Sequence, residues 1–196
     1  GIYMIYQKIT ISGKICTGKS TLLRTLQKEL NWPVFMTGQL FREYVKKNQL
    51  NLEHVEEQND DLTKKIDFKV RNMLKLPGNL IVDGWMSGIM ANNFPNILKI
   101  LLICDDNIRY QRFAHREKID LDEAKIRVDE RQNNWLNKLE KIYMRSDFMD
   151  PKNYDLIIDT SNISNGTPTI NYSCDAIETL AGGKPKKKLS WNKEMN

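Results

Sequence analysis

Hydrophobic positions along this chain follow two alternating patterns. Short apolar, β-branched stretches occur at 5–12, 79–83, 97–104 and 156–158, with the length of buried strands. Between them lie segments with helical spacing. In 19–30, Leu22, Leu23, Leu26 and Leu30 share one face. Segments 41–47, 52–76, 107–116 and 122–142 read as charged helices. Asn31-Trp32-Pro33 ends the first helix and Pro77-Gly78 marks a turn. Thr167-Pro168 offers a cap and a first-turn proline for a last helix, expected to run to about Leu180 and close at Gly182-Gly183. With a further short strand expected just before Gly38, the alternation predicts an α/β domain with about five mostly parallel strands flanked by helices.

The first strand runs straight into Gly13-Lys14-Ile15-Cys16-Thr17-Gly18-Lys19-Ser20, a full match to G-x-x-x-x-G-K-[ST]. Glycines let the backbone curl around an anion and turn several N–H groups inward, and the next helix offers its N-terminus to the phosphates. In this pattern Lys19 reaches the β- and γ-phosphates and the Ser20 hydroxyl binds Mg²⁺. Thr21 adds a hydrogen bond to the α-phosphate, and Lys14 either leans on a phosphate or faces solvent. The strand before and helix after are the context that separates a phosphate loop from a chance match. Asp83 ends a strand, where ligands bind in such sheets, so it is a second candidate Mg²⁺ partner beside Ser20. Its alternative is a turn-forming Asp before Gly84.

Composition narrows the class. At 196 residues with 40% hydrophobic, the chain can build one core. The longest apolar run, 97–104, is broken by Lys99, which argues against a membrane span. The opening Gly1-Ile2-Tyr3-Met4 lacks the basic and apolar regions of a signal peptide. Cys16, Cys104 and Cys174 are too scattered for a disulfide framework or a metal motif, so a reduced, cytoplasmic setting is expected. The net charge of +5 belongs mostly to residues 184–196, which hold five lysines against one glutamate, leaving +1 for the rest. That basic tail, expected to be flexible, could touch nucleic acid, but a solvated terminus is the plainer reading.

Phosphoryl transfer spreads charge over the oxygens around phosphorus, and arginine covers it with a bidentate fork. Arg42 comes after the short strand before Gly38. Arg109, Arg112 and Arg116 lie at i, i+3 and i+7 of one helix, with Arg127 and Arg131 on the next. The alternative for any one of them is a surface ion pair. A phosphate loop followed by an arginine-rich helical pair looks like a nucleotide kinase with a lid that excludes water.

From about Ile9 to Ser161 the chain resembles the cytidylate kinase-like branch of nucleoside monophosphate kinases, in its short archaeal-type form. The matching residues are Gly38-x-Leu40-Phe41-Arg42, Asp67, Asp83-Gly84, Arg109-x-x-Arg112-x-x-x-Arg116-Glu117, Glu123-Ala124, Arg131, Tyr143 and the run from Tyr154 to Ser161. The resemblance implies a P-loop kinase fold over 1–183, with an acceptor-binding segment at about 37–76 and a lid at about 109–142. It implies ATP with Mg²⁺ as donor and CMP or dCMP as acceptor; a monomer is expected. Arg42 would hold the acceptor phosphate, Arg112 and Arg116 would surround the transferring group, and Arg131 would close from the far side. Asp67 is a weaker match, near the acceptor base or sugar; its alternative is an exposed helical carboxylate.

Departures fall on the acceptor side. The family pattern Glu-Gly-Arg is Asp83-Gly84-Trp85 here, Arg-Glu is Arg131-Gln132, and Arg-Tyr is Lys138-Leu139. Trp85 could stack on a base, though the burial habit of large aromatics favours core. Two further readings stay open: a P-loop kinase of another small acceptor, and a nucleotide-binding module without turnover that engages RNA or protein.

Overall fold

A computed structural model describes residues 6–50, 60–161 and 187–190. The helices are α1 (Lys19–Leu30), α2 (Thr37–Lys47), α3 (Asp60–Lys75), α4 (Ser87–Met90), α5 (Asp106–Glu117) and α6 (Leu121–Tyr143). The strands are β1 (Lys8–Gly13), β2 (Val34–Met36), β3 (Leu80–Asp83), β4 (Ile97–Ile103), β5 (Leu156–Asp159) and β6 (Lys187–Ser190). These strands pair in parallel in one sheet of order β2-β3-β1-β4-β5-β6.

The expected parallel sheet of about five strands flanked by helices is present, and among the described residues a sixth strand extends it. The sixth lies inside the lysine-rich segment 184–196 that was expected as a flexible tail, and pairs Leu156 with Lys187 through Asp159 with Ser190. A run of lysines carries no alternating apolar signal, so nothing in its pattern points to a strand. The helix expected over 167–180 lies outside the described residues, as do 52–59 of the helix expected from residue 52. Helix α2 begins at Thr37, four residues before its expected start at residue 41.

The period of two is visible in the core. Ile81 joins a cluster with Ile9, Ile11, Leu98, Ile100 and the α1 leucines Leu22, Leu23 and Leu26. Leu80 and Val82 face the other way, onto Val70 and Leu74 of α3 and Trp135 and Leu139 of α6. Each fully buried leucine in α1 contributes about 2 kcal/mol, so packing rather than propensity fixes this helix. Asn31 ends it in the left-handed region, its N–H bonded to the Gln27 carbonyl. Helix α6 starts on a side-chain cap: the Asp120 carboxylate accepts from the Glu123 N–H at 2.8 Å.

Register places the site. Ile11 pairs with Asp83, and Met36 pairs with Asp83 from the other side. The carboxyl ends of β1, β2 and β3 therefore lie level. The phosphate loop after β1, Thr37 after β2 and Gly84-Trp85 after β3 gather at one edge of the sheet. The chain crosses from β1 to the far strand β2, returns to β3, and then passes to β4 on the other side of β1. Ligands bind at such a switch in strand order.

Candidate active site

The loop after β1 closes tightly. A Cβ on Gly13 would sit 2.6 Å from the Thr17 hydroxyl and 2.8 Å from the Leu102 carbonyl oxygen, so only glycine fits. Gly18 caps α1 with φ 98°, a left-handed conformation that glycine adopts without strain. The Thr17 hydroxyl donates to the Lys14 carbonyl at 2.8 Å. Thr17 is buried, and its carbonyl accepts from the Thr160 hydroxyl at 2.9 Å.

Lys19 is folded over its own loop. Its Nζ donates to the carbonyls of Gly13 at 2.8 Å and Lys14 at 2.9 Å. The ammonium also lies 5.9 Å from the centre of the Trp85 ring. Burial lowers the Lys19 pKa to about 8, while the Asp83 charge pulls the other way. Asp83 is itself buried, and desolvation raises its carboxyl pKa against the opposing pull of Lys19 and Arg42. Ser20 Oγ stands 3.5 Å from Asp83 Oδ2.

A cleft of about 560 Å³ opens over this edge, walled by the loop, by Arg42 and Phe41 of α2, and by Asp67 of α3. Trp85, Met86 and Trp135 add apolar surface, and Arg112, Arg116 and Arg131 line the side formed by α5 and α6. The five catalytic candidates, Lys19, Arg42, Arg112, Arg116 and Arg131, therefore share this cleft. Of the loop, Ile15, Cys16, Gly18, Lys19, Ser20 and Thr21 line it, whereas Gly13, Lys14 and Thr17 do not.

The arginines at i, i+3 and i+7 of α5 grade from inside to outside. Arg109 is 1% exposed. Its Nε donates to the Ile15 carbonyl at 2.9 Å, one terminal nitrogen donates to Asp106 at 2.8 Å, and the other donates to the Gln132 amide oxygen. Arg112 donates to the Cys16 carbonyl at 3.1 Å and to the Thr160 hydroxyl at 3.2 Å, and also to the Thr160 carbonyl. Both pin the outer wall of the phosphate loop. Arg116 is exposed, packed over the Phe113 ring at 5.2 Å and 3.3 Å from Glu117. Arg42 is exposed too, and a Cβ on Gly38 would lie 3.1 Å from its guanidinium. That small residue gives the arginine its path along α2.

Two expectations need correction. Asp67 is no exposed helical carboxylate: it is 2% exposed and faces the cleft. The Tyr143 hydroxyl donates to its Oδ2. Burial raises the Asp67 pKa to about 7, the tyrosine hydrogen bond acting against it, and pushes the Tyr143 phenol upward. Trp85 is not simply core, for it is half-buried and its ring lines the cleft.

Sequence reasoning missed Trp135, which stacks edge-on to Phe41 with ring centres 5.0 Å apart and lines the cleft. Its spacing from Val128 and Leu139, both buried on the inner face of α6, was the available signal. It also missed Gln132 as the partner of Arg109.

Among the described residues no cluster of three or more His, Cys, Asp or Glu side chains could hold a metal alone. Ser20 and Asp83 supply hard oxygen donors at the phosphate end, which suits Mg²⁺ shared with phosphate oxygens and water. Among the described residues no helix is long and apolar enough to cross a membrane.

A family model described as an AAA domain matches residues 9–133. The chain is 34% identical to a cytidylate kinase of Methanosphaera stadtmanae over 176 residues, covering 87% of this chain and 97% of that protein. It is 32% identical to a cytidylate kinase of Saccharolobus islandicus over 158 residues, covering 79% and 82%. Among solved structures, a shikimate kinase from Bacteroides thetaiotaomicron superposes with a TM-score of 0.54 at 14% identity, covering 90% of this chain and 95% of the other. That likeness concerns the fold.

Proposed function

This chain belongs to the cytidylate kinase family, on a P-loop domain of the AAA type, and from that premise we propose that it transfers the γ-phosphoryl group of ATP to CMP or dCMP. The observation that carries this reading is one cleft lined both by the phosphate-loop residues Lys19 and Ser20 with Asp83 and by Arg42, Asp67 and the Phe41–Trp135 pair.

In this reading the backbone N–H groups of the loop and the N-terminus of α1 hold the triphosphate. Lys19 leaves the carbonyls of Gly13 and Lys14 and moves onto the β- and γ-phosphates. Ser20 and Asp83 would hold Mg²⁺, which would supply neutralisation of phosphate charge. Arg42 grips the acceptor phosphate with its fork and brings one phosphate oxygen in line with the γ-phosphorus. Arg116 and Arg131, from the α5–α6 lid, cover the charge that develops on the transferring oxygens, while Arg112 fixes the loop beside them. Asp67, with one oxygen held by Tyr143, faces the acceptor nucleoside. The segment 37–76 then serves as the acceptor arm and 109–142 as the lid. No covalent intermediate is needed.

The test is ADP release from ATP and Mg²⁺ with CMP, dCMP, UMP, AMP, GMP or dTMP, using Lys19→Ala as the blank. Turnover that depends on CMP or dCMP and is lost in the variant is expected. ATP binding with no nucleotide accelerating ADP release would overturn the assignment.

A further inference from the structure

Trp85 stands where the family pattern has arginine, and its surroundings give it a task. It comes after Gly84 at the end of β3, two residues beyond Asp83. Its ring lies 5.9 Å from Lys19 Nζ, the ammonium that moves from its loop carbonyls to the phosphates in the reading above. It packs on two otherwise separate apolar clusters. One joins Ile15 of the phosphate loop to Tyr110, Phe113, Ala124 and Val128 at the root of the lid. The other contains Phe41, Met86 and Trp135 on the acceptor wall. The indole thus closes the seam between these two clusters where they meet at the cleft.

Any P-loop kinase faces competition between its acceptor and water. In hydrolysis a water oxygen bonds to the γ-phosphorus as the bond to the β,γ-bridging oxygen breaks. ADP and inorganic phosphate leave, and the proton of the water is released. In transfer an acceptor phosphate oxygen forms the new bond, with the same leaving group. A cation at position 85 would bring hydration with it; a large apolar ring removes it.

We propose that Trp85 is the specificity-determining wall that keeps water from the γ-phosphorus, so that transfer to the acceptor outruns hydrolysis. This rests on the kinase reading above, but hydrolysis can be measured with no acceptor at all, so the two can fail separately.

The experiment compares the parent with Trp85→Ala and Trp85→Phe, each checked for an intact melting transition. ADP release from ATP and Mg²⁺ is followed without acceptor and with saturating CMP. In Trp85→Ala the ratio of acceptor-free to CMP-dependent release should rise about tenfold. Trp85→Phe, which keeps an aromatic wall, should stay near the parent. A purely structural role would lower both rates together and leave the ratio unchanged, and that result overturns the proposal. So does a higher KM for CMP with an unchanged ratio. If CMP supports no turnover in the parent, the acceptor-free rate alone decides: a rise in Trp85→Ala supports the wall, and no rise overturns it. Should the alanine variant fail to fold, Trp85→Leu is read by the same criteria.

Discussion

Asp67→Asn should make the protein more stable at pH 8 than the parent and weaken its pH dependence. In the fold the Asp67 carboxyl is raised from 3.8 to about 7 by burial. Each pKa unit is about 1.4 kcal/mol, so ionised Asp67 costs the fold about 4 kcal/mol as an upper bound. Below about pH 4 the group is protonated in both states and contributes no difference. Between about pH 4 and 7 folding takes up a proton, so stability falls as pH rises through that window, and above it the loss is complete. Asparagine keeps an oxygen for the Tyr143 hydroxyl and never ionises. The advantage of the variant should therefore grow from near zero at about pH 4 toward a few kcal/mol at pH 8. Urea unfolding at pH 4.5, 6 and 8 reads this directly. A variant equal to or weaker than the parent at pH 8, with a gap that does not change with pH, would refute the reasoning. Asp67 would then be satisfied in its ionised form. If Asp67 faces the acceptor nucleoside, the same variant should bind CMP more weakly, so the gain in stability comes with a loss of function.

Arg42→Ala should raise KM for CMP by about tenfold or more, the worth of one charge-assisted phosphate contact, with KM for ATP unchanged in steady-state kinetics. Gly13→Ala should lower stability by about 1–3 kcal/mol through its forced contacts with Thr17 and Leu102, and weaken ATP binding, both visible in thermal melts with and without ATP. Arg109→Lys should not rescue Arg109→Met: one ammonium cannot meet Ile15, Asp106 and Gln132 together. Both variants should be destabilised by about 2 kcal/mol or more on urea titration. Tyr143→Phe should shift the pH window of stability upward, since the hydroxyl that favours ionised Asp67 is gone.

The phosphate loop and the first helix were legible because local rules dictate them. Gly13 and Gly18 serve backbone geometry that no other residue supplies, and Leu22, Leu23 and Leu26 sit at a period set by the helix itself. Strand β3 was legible for the same reason, being short, apolar and bounded by a turn. Asp67 was not. A carboxylate on a charged helix reads as solvent-facing, and its burial is tied to Tyr143, 76 residues away. Trp135 and Gln132 were hidden likewise, because their partners Phe41 and Arg109 come from other elements. Trp85 was legible as a departure but not as a position. Sequence could say that an arginine was missing, while only the register of Met36 and Ile11 with Asp83 brings residue 85 beside Lys19.

The arginines that look alike in sequence do two different things, and the difference orders the reaction. Arg109 and Arg112 spend their donors on the carbonyls of Ile15 and Cys16 and on Thr160, so the donor loop is held from outside before any nucleotide arrives. Lys19 rests on the carbonyls of its own loop; in the proposed reaction it would give up two neutral acceptors for phosphate oxygens, a net gain because charged acceptors bind an ammonium more strongly. The cations proposed for the acceptor and the lid are less fixed: Arg42 and Arg116 are exposed. Binding of the donor therefore needs little rearrangement, whereas closing on the acceptor must order long side chains, each at about 1–2 kcal/mol of rotamer entropy. That cost is offset only when an acceptor phosphate is present to meet them. Water presents no such phosphate, so in the proposed reaction Arg42 and Arg116 would stay away from the γ-phosphorus in the acceptor's absence, and the indole of Trp85 would guard the side they leave open.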